Sequence, residues 1–185
     1  MANALHKFTV AEATSKMAQR TVVRVTPTTS TTAYADGDVL FLTTEIPNAV
    51  LNSGGCSSLT GITIIDKDDN AINMDLIFMQ VSTNFIGAIS PGSSGGSVIS
   101  DANISAAKIL GAVEFDIANG DNTVDIGEAR ITHAAGAAGN AAATALPIFL
   151  QAAEGSTSVY FTAITRGTPN QDDTDDLEFA FHIDY

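Results

Sequence analysis

The segment 176–185 alternates between apolar and polar side chains, and no other feature of the sequence constrains the fold as strongly. Successive side chains of a β-strand point to opposite faces of a sheet. The segment is therefore predicted to be a strand whose apolar side chains share one face. Those side chains are Leu177, Phe179, Phe181, Ile183 and Tyr185.

The same period of two recurs through the body of the chain, between clusters of Gly, Asn, Asp, Ser and Thr. It predicts seven further strands, over 21–26, 38–44, 59–65, 71–79, 109–116, 144–150 and 158–165. Short strands with one-sided apolar faces, and little helical pattern between them, predict an all-β fold. The expected architecture is an antiparallel β-sandwich or jelly roll of about eight or nine strands.

Turn signals predict how some of these strands connect. The polar run 66–70 predicts a hairpin between the third and fourth of the seven strands. The turn 153–157 predicts another pair, between the sixth and the seventh. In the strand 109–116, one face is predicted to carry Ile109, Gly111, Val113 and Phe115.

Helical pattern is confined to two short segments. Thr9 and Glu12 have the spacing of a capping box, in which the Thr oxygen accepts a hydrogen bond from the amide of Glu12. A short helix over 10–18 is predicted to follow. A second helix, of one or two turns, is predicted near 101–108.

The basic residues are concentrated at the start of the chain. The net charge is −13, from 8 Lys and Arg against 21 Asp and Glu. Residues 1–24 contribute +3, because they contain four basic residues and only one acidic residue, Glu12, and the remaining 161 residues carry −16. We therefore divide the chain into a basic N-terminal arm, 1–20, and a single β-sandwich domain, 21–185.

Two interpretations of this arm stay open. It folds back on its own body, or it reaches a neighbouring subunit or another protein through contacts that salt weakens. In the second case its partner-binding side chains are predicted to be Leu5, Lys7, Phe8, Lys16, Met17 and Arg20.

The composition excludes several classes of protein. A pI near 4.2 argues against nucleic-acid binding, which needs a basic face. The single cysteine, Cys56, excludes a disulfide within the monomer, and its polar loop indicates an incidental thiol. The sequence has no run of about 18 continuous apolar residues, so no membrane span is predicted. Its first residues lack the apolar stretch of a secretory signal.

The segment 91–97, Pro-Gly-Ser-Ser-Gly-Gly-Ser, looks like the Gly-Asp-Ser-Gly-Gly stretch of chymotrypsin-like serine proteases, with Ser94 at the position of the nucleophile. That chemistry needs a His base and an Asp that precede the serine in the chain. His6 is the only histidine upstream of Ser94, and it lies in the arm. We therefore predict a flexible Gly/Ser loop, no catalytic residues and a non-enzymatic protein.

The run 66–70 begins like a calcium-binding loop, with Asp, Asp and Asn at its first, third and fifth positions. Ala71 and Ile77 stand where an EF-hand needs Gly and a bidentate Glu, so an EF-hand is excluded. A looser divalent-cation site stays open at this turn and at the acidic segments 119–125 and 172–176, because a bound cation would relieve the repulsion between carboxylates.

The histidines do not predict a metal centre. His6, His133 and His182 lack the spacing of a zinc site, and the chain has no phosphate-binding glycine motif. His182 falls on the polar face of the last strand, where a surface position is expected. No metal and no cofactor are therefore predicted.

Four short motifs occur along the chain in a characteristic order. They are Tyr34-Ala-Asp-Gly-Asp-Val-Leu40, the run Ile64-Ile-Asp-Lys-Asp68 leading into Met74-Asp-Leu-Ile-Phe78, Ala107-Lys-Ile-Leu-Gly-Ala-Val113, and Thr165-Arg-Gly-Thr-Pro169 before the final strand. In this order they resemble a group of small virion structural proteins from tailed bacteriophages, whose members are regarded as head decoration, or cement, proteins. The resemblance covers about residues 20–185.

The resemblance implies a β-sandwich or jelly-roll body that forms homotrimers, binds the major capsid protein on the outer surface of a phage head and stabilises that head. Such a protein is made in the host cytoplasm and resides in the virion, without nucleic-acid or membrane partners. The charge division agrees with this expectation, because a basic arm could bind an acidic strip on a capsid subunit or on the adjacent decoration protomer.

Three other functions compete with this expectation. The chain could be a tail or neck subunit of a virion, a secreted carbohydrate-binding or adhesin-like sandwich, or a hydrolase. The absence of Trp disfavours sugar binding, which relies on exposed aromatic side chains. The missing secretory signal disfavours secretion, and the missing base disfavours a serine hydrolase. Head and tail placement both stay open.

Overall fold

The fold is all-β, as the alternation predicts. The computed structural model describes residues 19–83, 91–92, 101–116, 122–135 and 146–185. Within those residues it contains ten strands and one helix. They are β1 Arg20–Val25, β2 Val39–Ile46, β3 Cys56–Asp66, β4 Met74–Met79, α1 Asp101–Ala107, β5 Ile109–Phe115, β6 Asn122–Asp125, β7 Arg130–Ala135, β8 Ile148–Gln151, β9 Val159–Thr165 and β10 Leu177–Asp184.

The strands form two antiparallel sheets. The larger sheet has the order β1-β10-β3-β7-β6, and β8 pairs with the first residues of β3, beside β7. The smaller sheet has the order β2-β9-β4-β5. Their apolar inner faces share one core, so the predicted antiparallel sandwich is confirmed. The jelly-roll form of that sandwich and the single-domain boundary at residue 21 stay predictions.

Five phenylalanines at the centre of the core explain why the two sheets pack. The Phe161 ring of β9 lies 4.8 Å from the Phe181 ring and 5.3 Å from the Phe179 ring, both on β10, measured between ring centroids. It also lies 5.1 Å from the Phe41 ring, and the fifth ring, Phe78, lies 5.9 Å from Phe181. Edge-to-face aromatic pairs add about 0.5–1.5 kcal/mol each beyond the burial of their area.

The last strand has the predicted inner face. Leu177, Phe179, Phe181 and Ile183 are buried, and Tyr185, just after the strand, is half-buried. The predicted helix near 101–108 is confirmed as α1. The helix predicted over 10–18 and its capping box lie outside the described residues.

The two predicted hairpins are wrong. The turn 66–70 leads β3 of the larger sheet across to β4 of the smaller sheet, and the two strands do not pair. β8 and β9 likewise lie in different sheets. A polar turn between two apolar strands looks the same in a sequence whether the chain returns to its own sheet or crosses to the other one.

Other details differ from the prediction as well. The hairpin of β6 and β7 has short strands that the sequence pattern missed. Ile109 is exposed, because the register between β4 and β5 shifts between Phe78 and Met79. Gly111, Val113 and Phe115 keep the predicted inward direction, and the last two are fully buried.

The outer face of the smaller sheet is partly covered. Ala107 of α1 packs with Val39 and Met79 in a second cluster of fully buried side chains. Leu42, Ile77 and Tyr160 pack around this cluster. The larger sheet has no such cover on its outer face among the described elements.

Candidate interaction surface

The outer face of the larger sheet is formed by the side chains that alternate with the core residues. We call it the open face. On β10, for example, Phe181 and Ile183 point into the core, so His182 and Asp184 point outward. By register, the principal members of the open face are Arg20, Val22, Arg24, Thr63, Ile65, Val124, Ile131, His133, Phe149, Glu178, His182 and Asp184.

Two histidines meet at one hydroxyl on this face. Thr63 Oγ1 lies 2.8 Å from His133 Nδ1 and 3.1 Å from His182 Nε2. A threonine hydroxyl has a single hydrogen, so with neutral rings it donates to one nitrogen and accepts from the N–H of the other ring. Gly61 packs beside this pair, where a Cβ would make ordinary van der Waals contact with Cε1 of His133, at 3.5 Å.

The surroundings of His182 disfavour a positive charge on its ring. Burial lowers the pKa of His182, and the charges of His133 and Arg24 lower it further. His182 is therefore predominantly neutral at neutral pH. The sequence predicts its outward direction correctly, but the strand register is needed to bring His133 next to it.

The full charges on the open face occur in pairs. Arg20 Nε lies 3.2 Å from Asp184 Oδ1, and Arg24 Nη1 contacts Glu178 Oε1. The two pairs cancel, so these four groups give the face a formal charge of zero within a chain of −13. Both arginine side chains are mostly exposed, which makes each pair worth little to stability.

Apolar side chains project from the same face into solvent. Phe149 is 79% exposed, Val124 is 59% exposed and Val22 is 48% exposed. Between β1 and β10, a groove of about 480 Å³ runs beside Val22 and His182. Val124 and its apolar register partners on β7 and β3 form a continuous row across three strands of the face. Single exposed apolar residues are normal on a protein, but a contiguous apolar row of this kind indicates a contact surface.

A second charged feature, the acidic corner, joins the turn 66–70 to the loop 172–176. Asp68 Oδ2 accepts a hydrogen bond of 2.7 Å from the amide of Asp172, and Lys67 Nζ donates one of 2.7 Å to the carbonyl of Asp175. In the sequence, these two acidic runs are far apart and are interpreted as separate turns. Their contact depends on the pairing of β3 with β10.

Burial at the acidic corner raises the pKa of two of its carboxyls. Partial burial raises the pKa of Asp68 to about 6, with the hydrogen bond and charge of Asp176 acting in the same direction and the amide of Asp172 opposing. Burial also raises the pKa of Asp66. In the part of the chain that the structure describes, no three His, Cys, Asp or Glu side chains are grouped so that they could hold a metal ion.

The predicted arm residues Leu5, Lys7, Phe8, Lys16 and Met17 lie outside the described residues, as do Ser94 and most of its loop. Arg20 is the first residue of β1 and belongs to the open face. Cys56 is an exposed free thiol, but it begins β3 rather than lying in a loop. Sequence reasoning missed Thr63 and Phe149, although period-two alternation in their strands was the signal that could have found them.

Comparison with protein-family models, with curated proteins and with solved structures returned no match to this chain. Across the described ranges, none of the helical structure has the length and apolar character that crossing a membrane requires.

Proposed function

We propose that this chain is a capsid decoration, or cement, protein, which binds the major capsid protein on the outer surface of a bacteriophage head and stabilises the head without catalysing a reaction. The observation that carries the proposal is the order of the four motifs that resemble phage virion structural proteins. The partners are the capsid and further copies of the chain, in a homotrimer.

Packing supports the proposal, because motifs far apart in the sequence contact one another. The amide of Gly37 donates to the carbonyl of Thr165, and the amide of Thr165 donates to the carbonyl of Asp38, each at 2.9 Å. The amide of Tyr34 donates to the carbonyl of Pro169 at 3.0 Å. The first and last motifs therefore form one hydrogen-bonded unit.

The second motif joins the same unit. The amide of Arg166 donates to the carbonyl of Asn73 at 2.8 Å, and its Nε lies 2.6 Å from Asp75 Oδ2. The Tyr34 hydroxyl donates to the carbonyl of Leu40 within the first motif. These motif residues stabilise the fold, and similar structural proteins would share residues with that role. No catalytic arrangement is needed to account for the motifs.

Cryo-electron microscopy of the purified virion tests the proposal. Density for the sandwich on the outer capsid lattice is expected. Density confined to the tail or neck would refute head placement and favour a tail subunit. Heads that lack the protein should also bind the added full chain and sediment with it.

The arm is expected to contribute to capsid binding through its basic and apolar side chains. A chain without residues 1–18 keeps Arg20 and all of β1, so its sandwich should keep the melting temperature of the full chain. It should bind heads more weakly, and the difference should shrink as salt is raised. Equal binding by both chains at low salt would show that the arm is not a capsid contact.

A further inference from the structure

We infer that the open face is the surface through which copies of this chain associate with one another. The inference deepens the proposed function by assigning the self-contact to described residues, and it rests on that function only in taking the partner to be a second copy. It can be tested on the isolated protein without any capsid.

Charge is the first reason to choose a second copy. Two molecules that each carry −13 repel, unless they meet where the local charge is low. The open face meets this condition, because its two arginines are paired with Asp184 and Glu178 and His182 favours its neutral form. The acidic corner, by contrast, concentrates like charges and would disfavour contact between two copies.

The size of the face is the second reason. Five strands side by side, at about 4.8 Å spacing and about 3.3 Å per residue, with β8 added, cover roughly 620 Å². Around a three-fold axis the open face of one copy meets a different surface of its neighbour, and a contact that buries this area on both molecules removes about 1,240 Å² from solvent, above the roughly 1,000 Å² expected of a specific interface.

The distribution of side chains is the third reason. Specific interfaces combine exposed aromatic and aliphatic anchors with a polar rim. Phe149, Val124 and Val22 are such anchors, and Arg20 and Arg24 lie along the β1 edge of the face. The smaller sheet already has α1 packed against its outer side, whereas no described element covers the open face.

Sedimentation velocity of the full chain over a wide range of concentrations tests the inference. The natural sequence should associate, and Phe149→Asp should weaken that association by more than about tenfold, because it places a carboxylate at an exposed aromatic anchor. Val124→Asp should act in the same direction. Leu51→Asp is the control, because Leu51 is 53% exposed but lies in the loop between β2 and β3, off the open face.

Thermal unfolding shows whether each variant keeps its fold. We expect all three to do so, because the side chains of Phe149, Val124 and Leu51 are each more than half exposed. A natural chain that stays monomeric throughout would overturn the inference, whatever its behaviour toward capsids. So would Phe149→Asp and Val124→Asp chains that associate like the natural one, or an equal loss in Leu51→Asp. Association lost only on removal of residues 1–18 would place the self-contact on the arm and overturn it too.

Discussion

At the scale of single residues, Asp68 and His182 lie where the folded chain disfavours their charged forms. Asp68 faces Asp172 and Asp176 in the acidic corner, and His182 faces His133 and Arg24 on the open face. As the pH falls, protonation removes an unfavourable charge at Asp68 but adds one at His182. The two groups therefore change the stability of the fold in opposite directions. Each therefore gives a separate prediction for how stability depends on pH.

Asp68→Asn should stabilise the chain at neutral pH. The folded carboxyl has a pKa of about 6, above the unfolded value near 3.9, so its ionised form costs stability above about pH 6. Removing that charge should raise the free energy of unfolding by about 1 kcal/mol after solvent screening. Asn can still accept the hydrogen bond from the amide of Asp172. Urea unfolding at pH 7 measures the gain.

The gain from Asp68→Asn should disappear as the pH falls from about 6 to about 4, because the natural carboxyl becomes protonated in the folded state. Glu154→Gln, at an exposed turn away from the acidic corner, is the control and should change stability little. A gain that persists unchanged at pH 4, or a loss at pH 7, would contradict the repulsion described for this corner.

His182→Gln should make stability less sensitive to mild acid. Well above the ordinary histidine pKa of about 6.5, the ring is neutral in both states and contributes no pH dependence. Below that value the unfolded chain takes up the proton more readily than the folded chain, so the natural protein loses stability as the pH falls toward the lowered folded pKa. Gln keeps a hydrogen-bonding group near Thr63 but does not titrate.

Urea unfolding of the natural chain and His182→Gln at several pH values measures the difference between them. Protonation at the acidic corner acts equally in both chains, so it cancels in that difference. NMR titration of the two imidazoles is the independent check. A His182 ring that titrates at or above the ordinary value for histidine would be incompatible with its place beside His133 and Arg24.

At the scale of elements, the positions of most strands could be predicted from the sequence, but the short strands β6 and β7 and the pairing of the strands could not. The apolar side chains of 176–185 are spaced by the strand itself, so their pattern is local and reliable. The turn 66–70, by contrast, makes hydrogen bonds to Asp172 and Asp176, more than 100 residues away, which the sequence of the turn itself does not reveal. The His133–Thr63–His182 cluster likewise exists only once β7, β3 and β10 are in register.

Gly111→Val should destabilise the sandwich where the two sheets meet. A Cβ at Gly111 of β5 would lie 3.2 Å from both Cγ2 and Cδ1 of Ile148 on β8, which is closer than ordinary packing. Overpacking of this kind costs about 1–3 kcal/mol. Thermal unfolding with a matched denaturant series measures the loss.

Adding Ile148→Ala should recover part of that loss, because it removes the atoms that the introduced valine side chain would meet. Gly167→Val is the control, since a Cβ at Gly167 meets no atom within 4 Å. Equal destabilisation at Gly167 and Gly111, or no recovery in the double variant, would show that the cost comes from the backbone and not from the contact with Ile148.

At the scale of the whole molecule, the proposed function makes this chain a subunit that its neighbours on the head stabilise. We expect the melting temperature to be higher on the assembled head than in solution. A partner that binds only the folded chain adds about 2.7 kcal/mol at a concentration 100 times the dissociation constant. Calorimetry of free protein and of decorated heads measures the shift, and equal melting temperatures would argue against a stabilising lattice contact.

The pairing of β1 with β10 determines when the open face can be completed during synthesis of the chain. β10 is the only strand that pairs with β1 among the described residues, and it follows β1 by some 150 residues. At roughly 5–20 residues per second, a ribosome leaves β1 without its partner for about 10–30 s. Nascent chains therefore lack a complete open face until β10 emerges, which would keep unfinished copies from joining finished ones.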